Sequence, residues 1–96
     1  MMKQEIVNLI RVSIKKLQRE GEFPEFDIRE ILVERPREKA RGDYATNIAM
    51  ALAKRLGRSP MKIANLLCDR LKGEGKLFGK IEAVLPGFIN FFLSQK

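Results

Sequence analysis

Lys80-Ile81-Glu82-Ala83-Val84-Leu85, Pro86-Gly87, Phe88-Ile89-Asn90-Phe91-Phe92-Leu93 is the stretch that decides the fold. Two runs rich in apolar and aromatic residues flank a turn dipeptide, which predicts a β-hairpin, and Pro86-Gly87 suits a type II turn. Side chains alternate across a strand, so Ile81, Ala83 and Leu85 share one face of the first run, and Ile89, Phe91 and Leu93 form a wholly apolar face of the second. The other face of the second run sets Asn90 between Phe88 and Phe92. An amide between two aromatic rings suits stacking on a splayed-out base and reading its edge.

Upstream, Ser59 is a natural N-cap with Pro60 in the first turn of a helix whose seam is Ile63, Ala64, Leu67, Cys68 and Leu71. Cys68 lies on that seam, so it reads as a small core residue rather than a nucleophile. The glycine-rich segment 73–79 follows a helix and precedes a strand, the reverse of a dinucleotide-binding turn, so a phosphate cradle is rejected. Before Gly57, the residues Ala45, Ile48, Ala49, Leu52, Ala53 and Leu56 trace an apolar stripe, and Asp43 is expected to cap that helix. Residues 36–42 form a charge-dense connector after a strand over 31–35 that Pro36 closes. A first helix spans 2–20, with Val7, Ile10, Ile14 and Leu17 as its buried stripe and Gly21 as its stop. Arg11, Lys15 and Arg19 fall on another, solvated face. The fold class is α+β: a small, mostly antiparallel sheet of three to four strands packed against three or more helices, as a single domain over 1–96.

Composition narrows the chemistry. Ninety-six residues support one modest core and no separate catalytic lobe. Histidine is absent and Cys68 is the sole cysteine, which removes imidazole bases, His-containing metal sites and internal disulfides; no metal site is expected. A single thiol fits a reducing, cytoplasmic setting. No apolar run approaches the roughly 18 residues of a membrane span. The net charge of +7 is uneven. Residues 1–44 hold ten Lys/Arg against nine Asp/Glu, whereas 45–96 hold nine against three. That basic half points to an anionic partner, either nucleic acid or a membrane surface.

Two stretches together, Arg41-Gly42-Asp43-Tyr44-Ala45-Thr46-Asn47-Ile48-Ala49-Met50 and Pro86-Gly87-Phe88-Ile89-Asn90-Phe91-Phe92-Leu93, carry a family resemblance. With the leading helix, the Val-Glu-Arg-Pro strand end and the Leu-Gly-x-x-Pro junction in the same order, the chain resembles the N-terminal additional domain of arginyl-tRNA synthetase. It departs at Arg41, where that family often has His before Gly-Asp. The HIGH-type and KMSKS-type signatures of class I synthetases are absent from these residues, so no catalytic residue and no cofactor is expected here. The resemblance implies that ATP and Mg belong to a full-length enzyme that joins arginine to tRNA. It further implies two partners, the D-loop of an arginine tRNA and the enzyme's own catalytic domain, with no membrane and no DNA. In that reading Phe88 stacks on an exposed D-loop base, Asn90 reads its edge, and Lys76 and Lys80 attract phosphate. The rival expectation is a module that docks on the catalytic core through its Phe88/Phe92 face.

Overall fold

The computed structural model describes residues 2–73 and 76–94. Helix α1, Met2–Arg19, is followed by a loop to strand β1, Val33–Glu34. A short 3-10 turn at Lys39–Arg41 leads into β2, Tyr44–Thr46, then α2, Ile48–Leu56, and α3, Pro60–Leu71. Strands β3, Phe78–Val84, and β4, Phe88–Leu93, complete the chain. All pairings are antiparallel in the order β1-β2-β4-β3, so the expected α+β fold of three helices and one small sheet is present.

The helices cover one face of the sheet. Ile6, Ile10, Ile14 and Leu17 of α1 are fully buried, with α1 packed on α3 and β1, and the stripe begins at Ile6 rather than at the half-buried Val7. All five residues of the α3 seam are buried as its periodicity predicts, and Ser59 Oγ accepts the Lys62 N–H at 3.2 Å. Ile89 and Phe91 reach this core from β4 and are fully enclosed, while the Phe78 ring sits 5.2 Å from that of Phe91. Each such buried side chain contributes about 1.5–3 kcal/mol by leaving water.

Three local expectations are corrected. Asp43 does not cap α2: its carboxylate accepts the Leu93 N–H at 2.8 Å, while its own N–H donates to Phe91 O at 2.8 Å. Residues 44–46 extend this pairing as a strand, so the helix starts only at Ile48. Thr46 Oγ1 takes over as acceptor for Ile48 N at 3.2 Å and donates to Leu32 O at 2.7 Å. The strand expected over 31–35 pairs only at Val33 and Glu34, because β2 offers it a partner there alone. The Leu85–Pro86 peptide is cis, and Gly87 has φ +159°, away from the roughly +80° that a type II turn places there. The glycine-rich segment contributes Phe78 and Gly79 to β3, and its residues 74–75 lie outside those described.

Arg11, expected on a solvated face, is half-buried and donates to Ile28 O at 3.2 Å, tying the loop before β1 to α1.

Candidate nucleic-acid interface

The face of the sheet opposite the helices carries the second side-chain set of β4. Antiparallel register puts Phe88 beside Val84, Asn90 between Glu82 and Ala45, and Phe92 beside Lys80, with Glu34 next to Ala45 at the β1 edge. Ala45 is the small residue of its row, and it leaves a depression next to Asn90. The result is a cavity of about 100 Å³ lined by Glu34, Arg35, Pro36, Arg41, Ala45, Val84, Phe88 and Asn90.

Asn90 is the unusual member. It is only 4% exposed, yet among the described residues its side-chain amide makes no hydrogen bond. Its amide atoms are not among the fully enclosed ones, so they meet water through the cavity, where a donor and an acceptor are what a base edge satisfies. Phe88 is half-buried, and the Arg41 guanidinium carbon stands 5.7 Å from its ring centroid. Ring, amide and cation therefore meet in one concave site.

The two lysines stand apart from it. Lys80 places its ammonium 4.6 Å from the Phe92 centroid and 3.6 Å from Glu82 Oε2, two strand pairs beyond Asn90. Lys76 is exposed near the far end of β4, where its carbonyl accepts the Ser94 hydroxyl at 3.1 Å. At about 3.3 Å per residue, that end lies roughly 20 Å along the strand from Phe88. Arg35, which also stands 5.4 Å from the Tyr44 ring, and Arg41 are the cations that line the cavity. Sequence reasoning missed both. The one signal available was the density of arginine in the 35–41 connector.

Nucleophilic chemistry finds no support. Burial pushes the Cys68 thiol up to about 11, so it stays protonated at neutral pH. Among the described residues, no group of three or more Cys, Asp or Glu side chains is placed to hold a metal ion, and no helix is long and apolar enough to cross a membrane.

Comparison with known proteins agrees over nearly the whole chain. The family model for the arginyl tRNA synthetase N terminal domain matches residues 4–93. The chain is 38% identical over 94 residues to the arginine–tRNA ligase of Acetivibrio thermocellus, covering 98% of this chain and 17% of that protein. To the arginine–tRNA ligase of Shewanella halifaxensis it is 43% identical over 95 residues, covering 98% of this chain and 16% of that one. The chain thus spans about one sixth of the length of these relatives. Among solved structures, it resembles the Thermus thermophilus arginyl-tRNA synthetase with a TM-score of 0.77 and 28% identity over 98% of this chain and 14% of that one. It shares its fold with the Plasmodium falciparum enzyme at a TM-score of 0.79 and 22% identity, over 97% of this chain and 16% of that one.

Proposed function

The chain belongs to the arginyl-tRNA synthetase N-terminal domain family, and from that premise we propose that it is the tRNA-binding module of a longer arginine–tRNA ligase. In this reading it engages an exposed D-loop nucleotide at the outer corner of an arginine tRNA, in the cytoplasm. Phe88 stacks on the base and Asn90 reads its edge. Arginine activation, with ATP and Mg, lies in the other portion of the enzyme. The observation that carries the proposal is the Asn90 amide, unpaired among the described residues and opening into a cavity beside an aromatic ring. Lys80 and Lys76 supply screened, non-specific attraction along the strand, which fades as salt rises.

Titration with arginine-tRNA transcripts, each bearing one substituted D-loop base, tests the reading. One substitution is expected to weaken binding, and so is Phe88→Ala. Base–aromatic stacking is worth about 1–3 kcal/mol, or roughly 5- to 150-fold in Kd. Equal affinity for every transcript removes base reading from the function.

A second reading, docking on the catalytic core, draws on Leu85, which is 79% exposed at the hairpin tip, and on Leu32 at 48%. It predicts that Phe88→Ala in the parent enzyme lowers stability while leaving the KM for tRNA unchanged.

A further inference from the structure

We propose that Arg41 is the second jaw of a base clamp, closing over the outer face of a nucleobase whose inner face rests on Phe88. This inference rests on the base-reading function and assigns that site a further binding residue.

Three features of the structure converge on it. The Arg41 guanidinium already stands over the Phe88 ring, 5.7 Å from its centroid, and both residues line the cavity that holds the Asn90 amide. Guanidinium planes and aromatic rings are the two side-chain surfaces on which unstacked bases pack. The backbone that carries Arg41 is also fixed against β4. Gly42 passes so close to that strand that an added Cβ would lie 2.7 Å from Phe91 O, and Asp43 bonds β4 through both its N–H and its carboxylate. Finally, the side chain itself is lightly held. Its one ion pair among the described residues runs to Glu38 at 3.8 Å between side chains that are 57% and 78% exposed, and pairs of that kind contribute little. A fixed hinge therefore carries a free jaw.

The dimensions require the jaw to move. A base between two planes needs two stacking distances of roughly 3.4 Å each, about 6.8 Å in all. The present 5.7 Å is an upper limit on the gap between guanidinium and ring, so it must widen by at least about 1 Å. Without RNA, the cation covers the stacking surface. With RNA, it swings outward and closes on the exposed side of the base.

The experiment uses arginine-tRNA transcripts in which each D-loop base in turn is replaced by 2-aminopurine, whose fluorescence is quenched by stacking. The wild-type chain is expected to quench one position. Arg41→Ala and Arg41→Lys are each expected to weaken binding about three- to tenfold and to recover fluorescence at that position, since a lysine keeps the charge but not the plane. Wild-type affinity and quenching in Arg41→Lys would mean that charge alone matters, and the clamp is overturned. Tighter binding by Arg41→Ala would make the arginine a blocking group, with the same consequence. A salt slope that falls by about 0.7 in Arg41→Ala would assign it to a phosphate instead. Phe88→Ala and Asn90→Ala in the same titration separate the two levels. If both bind like wild type, base reading itself is lost and the clamp with it; if both weaken binding while the Arg41 variants do not, the clamp alone is wrong.

Discussion

Gly42→Ala should be among the most damaging single-methyl changes available in this chain. Gly42 has φ +92° and ψ −169°, a region open essentially to glycine alone, which costs another residue about 1–3 kcal/mol. The new methyl would also stand 2.7 Å from Phe91 O, 3.2 Å from Phe91 C and 3.3 Å from Phe92 Cε1. Two of these are backbone atoms of the inner strand β4, so relief requires the 3-10 turn to lift away. Lifting it stretches the 2.8 Å bonds that Asp43 makes to Phe91 O and to Leu93 N. Strain of about 2 kcal/mol and two weakened hydrogen bonds of about 0.5 kcal/mol each together come to about 3 kcal/mol. For a domain of this size that lowers Tm by roughly 12–24 °C, at about 4–8 °C per kcal/mol. Thermal unfolding followed by circular dichroism measures the drop, and a urea midpoint with an unchanged slope confirms that stability alone has moved. Gly21→Ala is the matched control: φ is +82°, but nothing lies within 4 Å of the added methyl, so only the backbone cost of about 1 kcal/mol remains. Equal losses from the two substitutions, or a Gly42→Ala loss under about 4 °C, would refute the close-approach argument.

Ser13 is fully buried in α1 and its hydroxyl finds no hydrogen-bond partner, so Ser13→Ala should stabilise the chain by about 1 kcal/mol and raise Tm by several degrees in the same melts. The Cys68 thiol is held neutral up to about 11 by burial, against an ordinary value of 9.0. Its contribution to stability is therefore complete below pH 9 and is lost as pH rises from 9 to 11. The gap in urea midpoint between the wild type and Cys68→Ala should change across that window and stay level below it, and the native thiol should alkylate slowly at pH 8.

Where local pattern and final environment coincide, the sequence is an accurate guide. Ser59, Pro60 and the Ile63–Leu71 seam announce α3 through capping chemistry and a 3.6-residue period, and all five seam residues are buried. The strand over 88–93 is equally legible from its alternation and the preceding turn dipeptide. Tyr44–Thr46 is not, because three residues between Asp43 and Asn47 carry no measurable period, and their partner lies in β4. The apolar stripe that continues from Ala45 into Ile48, Ala49 and Leu52 then draws the helix start too far forward. The candidate site divides the same way. Phe88 and Asn90 are visible as neighbours on one strand face, whereas Arg41 joins them only through the approach of Gly42 to Phe91, a contact no spacing along the chain reveals.

The strand order β1-β2-β4-β3 also has a consequence for how the chain is made. One of its two inner strands, β4, is the last of the four to be synthesised, and Leu93 bonds Asp43 across 50 residues. During translation, β1 and β2 emerge with no partner beyond each other, and two or three paired residues cannot hold a sheet together. The helices can form early, but Ile6, Ile14 and Leu67 have no finished surface to pack on until β4 leaves the ribosome. Folding therefore waits for one late, long-range closure. A ribosome that pauses shortly before Phe88 leaves an apolar intermediate exposed, and the pace of elongation through this hairpin becomes a determinant of yield.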